Sequence, residues 1–436
     1  MASKQIETVK VLYRSWTAAQ AANPNMPLDE QRDMMEGWAQ LTGEPGGVDY
    51  IETEAGGVPA MWIVPKGTAQ DRVLLCVHGG GFVVASMYTH RKLFGHLARL
   101  MGVRALSLNY RRAPEHAHPA AVNDVVAAYQ WLLEQGIKPE HIAIAGDSAG
   151  GALSITAQLL ARERGLPLPA GAMLMSPWVD LEVSGESWVS NKSREVLFTP
   201  EMMHGLASMF LGPNGNPRDA LANPLYADLA GLPPVYIQVG GDEGLLDDSR
   251  RLAERARNAG VDVRLEIFPE MQHVFQMCAG RAPEADVAVG NFAEWMRPRL
   301  GLGAASRSMP TRKSVLIIGF DPQYLDFSSP ELAPLNLSAE KIMAGFTAEN
   351  KRLRGLGYEP DGCLVDLGET AEAAVASRLR AKQYDCVIIG AGVRANPKYL
   401  LLFERLLNVV HELASKARIG FNTKPTDTVD AVQRWL

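Results

Sequence analysis

A chain of 436 residues is longer than a typical single domain of about 100–200 residues and has room for one large core and a smaller second unit. With 47% hydrophobic and 21% charged residues it lies near the average for globular proteins, which excludes disorder and fibrous architecture. Its formal charge of −6 is spread along the chain and no basic block is interleaved with aromatics, so nucleic acid is not an expected partner.

The N-terminus, Met1-Ala-Ser-Lys-Gln-Ile-Glu7, leads into a polar amphipathic stretch without the apolar core of a signal peptide. No run of about 18 apolar residues occurs, so no membrane span and a cytoplasmic location are expected. Cys76, Cys278, Cys363 and Cys386 lack paired spacing and read as reduced structural thiols.

In chain order, helical patterns cover residues 6–22 and 28–40, separated by Ala22-Asn-Pro-Asn25. Apolar runs of strand length follow at 73–77, 103–108, 142–145, 172–175, 235–239 and 263–268, and helices are expected at 88–101, 120–135, 149–163 and 246–259. Continuous apolar strands alternating with helices predict an α/β fold, a parallel sheet covered on both faces. Residues 184–221 interrupt the rhythm with a helical pattern around 200–210 and read as a lid, forming a cap with the N-terminal helices. Residues 301–312, small and Gly-rich, read as a linker. Beyond it, strands at 315–319, 362–366, 386–390 and 418–422 alternate with helices at 339–356, 371–381, 399–414 and 428–435. That pattern predicts a second, smaller doubly wound parallel domain over 313–436.

A serine hydroxyl needs an adjacent base, an orienting acid and donors for a developing oxyanion before it attacks a carbonyl at neutral pH. Gly146-Asp147-Ser148-Ala149-Gly150 sits between an expected strand and an expected helix, the context that makes a G-x-S-x-G turn a nucleophile site. His78-Gly79-Gly80-Gly81-Phe82 follows the strand at 73–77 and resembles an oxyanion loop, with Gly80, Gly81 and Ala149 as donors. The base must follow the serine, which leaves His204, His273 and His411. Only His273 comes just after a strand of the catalytic sheet.

These residues, with Asn109-Tyr-Arg-Arg-Ala-Pro-Glu115 and Asn223-Pro-Leu-Tyr-Ala-Asp228, resemble the bacterial hormone-sensitive-lipase-like esterases of the α/β-hydrolase superfamily over residues 40–300. The resemblance implies an α/β-hydrolase sheet with a two-piece helical cap, split between residues 1–45 and the insertion at 184–221. It also implies a Ser–acid–His triad, no metal or organic cofactor, and short- to medium-chain esters. The family presents Asp-Pro-Leu-x-Asp after the seventh strand, whereas this chain reads Gly241-Asp-Glu-Gly-Leu-Leu-Asp247. Setting Leu245 and Asp247 on the family's leucine and second aspartate makes Glu243 the acid, with Asp242 as the alternative.

Asp147, and Glu115 with Arg111, read as a buried charge network holding the loops. His116 and His118 lack a third ligand and read as bland. Trp178 and residues 202–210 fit either a substrate pocket or cap packing. The expected function is therefore a serine carboxylesterase acting on a small ester, the alternatives being amide or lactone hydrolysis on the same triad or a non-catalytic ligand receptor.

Residues 313–436 resemble flavodoxin-like or receiver-like domains in element order. Gly390-Ala-Gly392 is a weak phosphate-cradle pattern, and Asn422-Thr-Lys-Pro425 resembles a receiver turn. Three roles stand open for this part: ligand binding, a regulatory or homodimer-forming role, and an unrelated fused partner.

Overall fold

The computed structural model describes residues 2–303, 313–330, 332–333, 337–356, 358–424 and 426–436. Most of the expected linker, residues 304–312, lies outside the described residues, as does Pro425. The chain divides into two compact units, Met1–Arg307 and Ser308–Leu436.

The first unit contains strands β1 (Val48–Ala55), β2 (Val58–Pro65), β3 (Ala69–Val77), β4 (Val103–Leu108), β5 (Ile142–Asp147), β6 (Gly171–Met175), β7 (Val235–Gly240) and β8 (Val263–Phe268). They form one sheet in the order β1-β2-β4-β3-β5-β6-β7-β8. β3 to β8 pair in parallel, and β2 joins β1 and β4 antiparallel. Every residue of β5, β6 and β7 is buried, as strands covered on both faces require.

The helices of this unit are α1 (Glu7–Ala22), α2 (Leu28–Glu36), α3 (Met87–Met101), α4 (Ala120–Glu134), α5 (Ser148–Glu163), α6 (Ser187–Ser190), α7 (Pro200–Leu211), α8 (Leu246–Asn258) and α9 (Pro283–Met296). The six parallel strands expected from the sequence are β3 to β8. The hairpin β1–β2 adds to them; it turns through Gly56 and Gly57, with φ of 61° and 84°. No described helix is long and apolar enough to cross a membrane. All four cysteines are buried and free.

The two segments expected to form a cap are each held internally. Tyr13 and Trp16 of α1 pack with Trp38 just after α2, ring centroids 5.6–6.2 Å apart. In the insertion, Thr199 caps α7, its Oγ1 accepting from the Met202 amide at 3.3 Å, and Pro200 opens the helix where no donor is needed.

The second unit has a four-stranded parallel sheet, β9 (Ser314–Phe320), β10 (Glu359–Val365), β11 (Cys386–Ile389) and β12 (Arg418–Phe421), in the order β10-β9-β11-β12. Its helices are α10 (Ala339–Gly355), α11 (Ala371–Ala381), α12 (Ala391–Arg394), α13 (Leu400–Leu413) and α14 (Thr428–Gln433). The two-residue repeat of β9 divides the core. Leu316, Ile318 and Phe320 pack with Val375, Leu402 and Leu406 of α11 and α13, while Val315 and Ile317 pack with Leu353, Val429 and Val432 of α10 and α14. Helices on both faces make the unit doubly wound.

Leu75 lies at the centre of β3, fully buried. Leu75→Ala is expected to lower stability by about 2–5 kcal/mol, read as a lower urea midpoint at unchanged m-value.

Candidate active site

Ser148 stands where β5 ends and α5 begins, at φ 50°, a left-handed conformation that costs a non-glycine residue about 1–2 kcal/mol. The turn closes so tightly that a side chain at Gly146 would meet the Gly150 carbonyl, and one at Gly150 the Val77 carbonyl. The Ser148 carbonyl accepts from the Trp178 amide at 3.0 Å, which pins the turn from the next strand. Asp147, fully buried, accepts from the Gly79 amide at 3.0 Å through Oδ1 and lies 3.2 Å from His90 Nε2 through Oδ2. This carboxylate ties the glycine loop to the serine turn.

Gly80 and Gly81 take φ of 102° and 59°, open to glycine at little cost. Their amides, and that of Ala149, donate to no acceptor among the described residues. For Ala149 this follows from its place in the first turn of α5, where N–H groups lack intrahelical partners and the helix dipole favours negative charge. His78 stacks on Tyr110 at 4.3 Å, with Nδ1 2.7 Å from the Gly79 carbonyl. Burial, followed by the neighbouring His90, pushes the His78 imidazole down to about 3, so it is neutral in the fold.

Glu243 follows β7 and His273 follows β8. Both are fully buried, and His273 Nδ1 lies 2.8 Å from Glu243 Oε2. The other carboxylate oxygen accepts from Ser176 Oγ at 2.7 Å and from the Gly240 amide at 2.5 Å. Ser176 Oγ in turn accepts from the Val274 amide at 3.2 Å, so one hydroxyl joins the acid to the histidine loop. His273 Nε2 is buried without a partner among the described residues. Asp242, the alternative acid, points elsewhere: its Oδ1 lies 3.3 Å from Arg194 Nη1.

Both parts of the cap reach these loops. Tyr13 of α1 donates its hydroxyl to the His273 carbonyl at 2.8 Å and accepts from Trp38 Nε1 at 3.0 Å. In the insertion, the Phe198 ring meets the His273 ring edge-on at 5.1 Å, and Phe210 stacks on Phe82 at 3.7 Å.

Other expected residues fall differently. Glu115 does not join Arg111: it pairs with Arg32 of α2 at 2.7 Å, while Arg111 holds Asp124 at 2.6 Å. Both pairs have a half-exposed member rather than forming a buried network, because Arg32 arrives from a cap helix whose position the motif does not encode. His118 faces Asp219 at 3.4 Å, and no cluster suited to a metal occurs among the described residues. The Gly390-Ala-Gly392 pattern makes no phosphate cradle, since α12 is a four-residue helix and the Ala391 amide is taken by Asn422 Oδ1 at 2.8 Å. His204 lies in α7 of the insertion and His411 in α13 of the second unit.

A profile of the α/β-hydrolase fold matches residues 74–277. The crystal structure of an esterase from the bacterial hormone-sensitive lipase family is 42% identical and covers 69% of this chain and 100% of its own, with a TM-score of 0.66. An acetyl-hydrolase of Streptomyces hygroscopicus is 39% identical over 305 residues, 70% of this chain and 99% of the relative. The chain belongs to the bacterial hormone-sensitive lipase family of α/β hydrolases. EstE5, whose crystal was soaked with p-nitrophenyl butyrate, is also similar, at 37% identity and a TM-score of 0.64 over 69% of this chain and 100% of its own.

Within this family framework, Ser176, Tyr13, Asn191 and Glu195 contact the site loops without having been singled out from the sequence. Ser176 had a legible signal, its place at the end of a strand, whereas the other three act from the cap.

The His78 pKa carries a sign. Between about 3 and the unfolded value of about 6.5 the unfolded chain binds the extra proton, so the contribution to stability is complete above that window and is lost as pH falls through it. The urea midpoint is expected to drop between pH 7 and pH 5, and to drop less in His78→Asn; equal slopes would contradict this assignment.

Proposed function

We propose that this chain hydrolyses short- to medium-chain carboxylic esters through an acyl-enzyme on Ser148. Ester hydrolysis itself is the chemistry that the relatives' names share, an acetyl-hydrolase and several esterases among them. The observation that carries the finer reading is the buried Glu243–His273 contact of 2.8 Å, which leaves the opposite ring nitrogen without a partner.

In this reading His273 Nε2 takes the Ser148 proton while Oγ forms a bond to the ester carbonyl carbon. The carbonyl oxygen becomes an oxyanion facing the amides of Gly80, Gly81 and Ala149. Glu243, acceptor-only when ionised, holds Nδ1–H and stabilises the imidazolium. Collapse breaks the bond to the alcohol oxygen, which leaves with the proton from Nε2. Water then gives a proton to the same nitrogen as it attacks the acyl carbon; the bond to Oγ breaks, Oγ takes that proton back from Nε2, and the carboxylic acid leaves with Ser148 restored.

The short acyl length is supported by an aromatic wall beside the serine turn. Phe82, Trp178 and Phe210 are buried together, with Phe82 directly after Gly81 and the Trp178 amide on the Ser148 carbonyl. Such a wall favours small acyl groups, in keeping with the acetyl and butyryl groups in the relatives' descriptions.

For residues 313–436 the proposal is a small flavodoxin- or receiver-like module. Its support is the order β10-β9-β11-β12, with the first strand between the second and third.

A panel of p-nitrophenyl esters from acetate to laurate tests the enzyme reading. Turnover is expected to peak at acetate to hexanoate, and Ser148→Ala to lose at least about 10⁴-fold in kcat. Glu243→Ala is expected to lose about 10³–10⁴-fold and Asp242→Ala less than about tenfold. Absence of turnover at every chain length in the wild-type chain would sink the proposal.

A further inference from the structure

The cap segment between α6 and α7 grips the loop that carries Glu243 at several points. Asn191 Nδ2 donates to the Gly241 carbonyl at 3.0 Å and to the Glu243 carbonyl at 2.8 Å. Arg194 pairs with Asp242, and its carbonyl accepts from Gln272 Nε2, beside His273, at 3.0 Å. Glu195 completes the grip. Its Oε2 accepts from the Gly244 amide, the residue after Glu243, at 2.8 Å, and its Oε1 accepts from the Leu197 and Phe198 amides at 2.7 and 3.2 Å. Phe198 is the residue whose ring meets His273.

We propose that Glu195 is a positioning residue: its carboxylate clamps the cap segment to the acid loop, so that Glu243 and Phe198 hold the His273 imidazole from two sides. Among the described residues the hydrogen-bond partners of its two oxygens are all N–H donors, which favours the ionised, acceptor-only form. The groups that set its electrostatics are the buried His273 and Glu243, together with the Arg194–Asp242 pair on the same two segments. Burial raises the Glu195 carboxyl above its ordinary value, and the Gly244 and Leu197 amides and His273 act against that rise. The negative charge also favours the imidazolium that forms during turnover. An ordinary helix or turn cap would supply the hydrogen bonds without a charge beside the base.

The inference rests on the acyl-enzyme reading, and the test separates the two. Glu195→Gln and Glu195→Ala are compared with the wild type on p-nitrophenyl acetate from pH 5 to 9. Rates are counted per serine that reacts with phenylmethanesulfonyl fluoride, so that misfolded chains drop out. Glu195→Ala is expected to lose about 10²-fold in kcat, the order that a misplacement of about 1 Å costs, with KM within about threefold. Glu195→Gln keeps shape but not charge; it is expected to recover part of the loss, staying about tenfold below wild type in kcat with KM unchanged, a rescue by the conservative variant. A kcat per reactive serine within twofold of wild type in both variants, or a Gln variant no better than the Ala variant, overturns the inference. Glu243→Ala is run alongside. If it too stays near wild type Glu243 is not the acid, and turnover surviving in Ser148→Ala sinks the acyl-enzyme reading, whereas an inactive Glu243→Ala beside fully active Glu195 variants removes only the clamp.

Discussion

A carboxylate with no access to water governs the architecture of this site. Taking an isolated charge of that size out of water costs several kcal/mol even after relaxation, so Glu243 is tolerable only with its oxygens engaged. Three donors engage them: His273 Nδ1, Ser176 Oγ and the Gly240 amide. They come from the ends of β8, β6 and β7, so the charge joins three adjacent strands at their carboxyl ends. The register of those parallel strands brings the three ends level, and the cap segment around Asn191 holds the acid loop from the other side.

Backbone strain collects at the same place. Ser148, Ser176 and Val274 adopt φ of 50°, 45° and 47° without being glycine. Each is held by neighbours: the Ser148 carbonyl by Trp178, the Ser176 amide by the Gln238 carbonyl at 2.7 Å, and the Val274 amide by Ser176 Oγ. Strained conformations persist where surrounding bonds over-determine them, and here one strained residue, Ser176, holds another, Val274. The Tyr13 hydroxyl on the His273 carbonyl extends this to α1, which makes the N-terminal helices part of the support of the histidine loop rather than a cover alone.

What could be read in the sequence follows the range of the interactions. The turn around Ser148 and the glycine loop were legible because their demands are local: Gly146 and Gly150 have no space for a side chain, and Gly80 has a φ that other residues resist. The strands β3 to β8 were legible because full burial leaves continuous apolar runs. The edge hairpin β1–β2 was not read, since β1 is half-exposed and carries Asp49, Glu52 and Glu54 and the apolar β2 contains Pro59, which argues against a strand, although Gly56-Gly57 marked the turn. Glu243 was found only through its spacing to Leu245 and Asp247, because a carboxylate beside another carboxylate shows no direction until a partner is placed. That partner for Asp242 is Arg194, from the cap. Contacts made from the cap, such as Arg32 with Glu115 or Glu195 with Gly244, depend on where two distant segments cross, and no local pattern encodes that crossing.

The second unit shows the opposite use of polar groups. Ligands of open parallel sheets usually bind beyond the carboxyl ends of the strands, where the order reverses, here between β9 and β11. The acids near that edge are committed to their own backbone. Asp321 accepts from the Gln323 amide, Asp366 from the Gly368 and Thr370 amides, and Asp427 from the Thr423 and Lys424 amides. Asn422 bridges the Ala391 amide and the Thr428 hydroxyl. Bonding to amides holds the Asp366 carboxyl below its ordinary value; for Asp427 the bonds to Thr423 and Lys424 do the same against the opposing effect of burial. Carboxylates bound in this way stabilise the turns at the carboxyl ends of this parallel sheet.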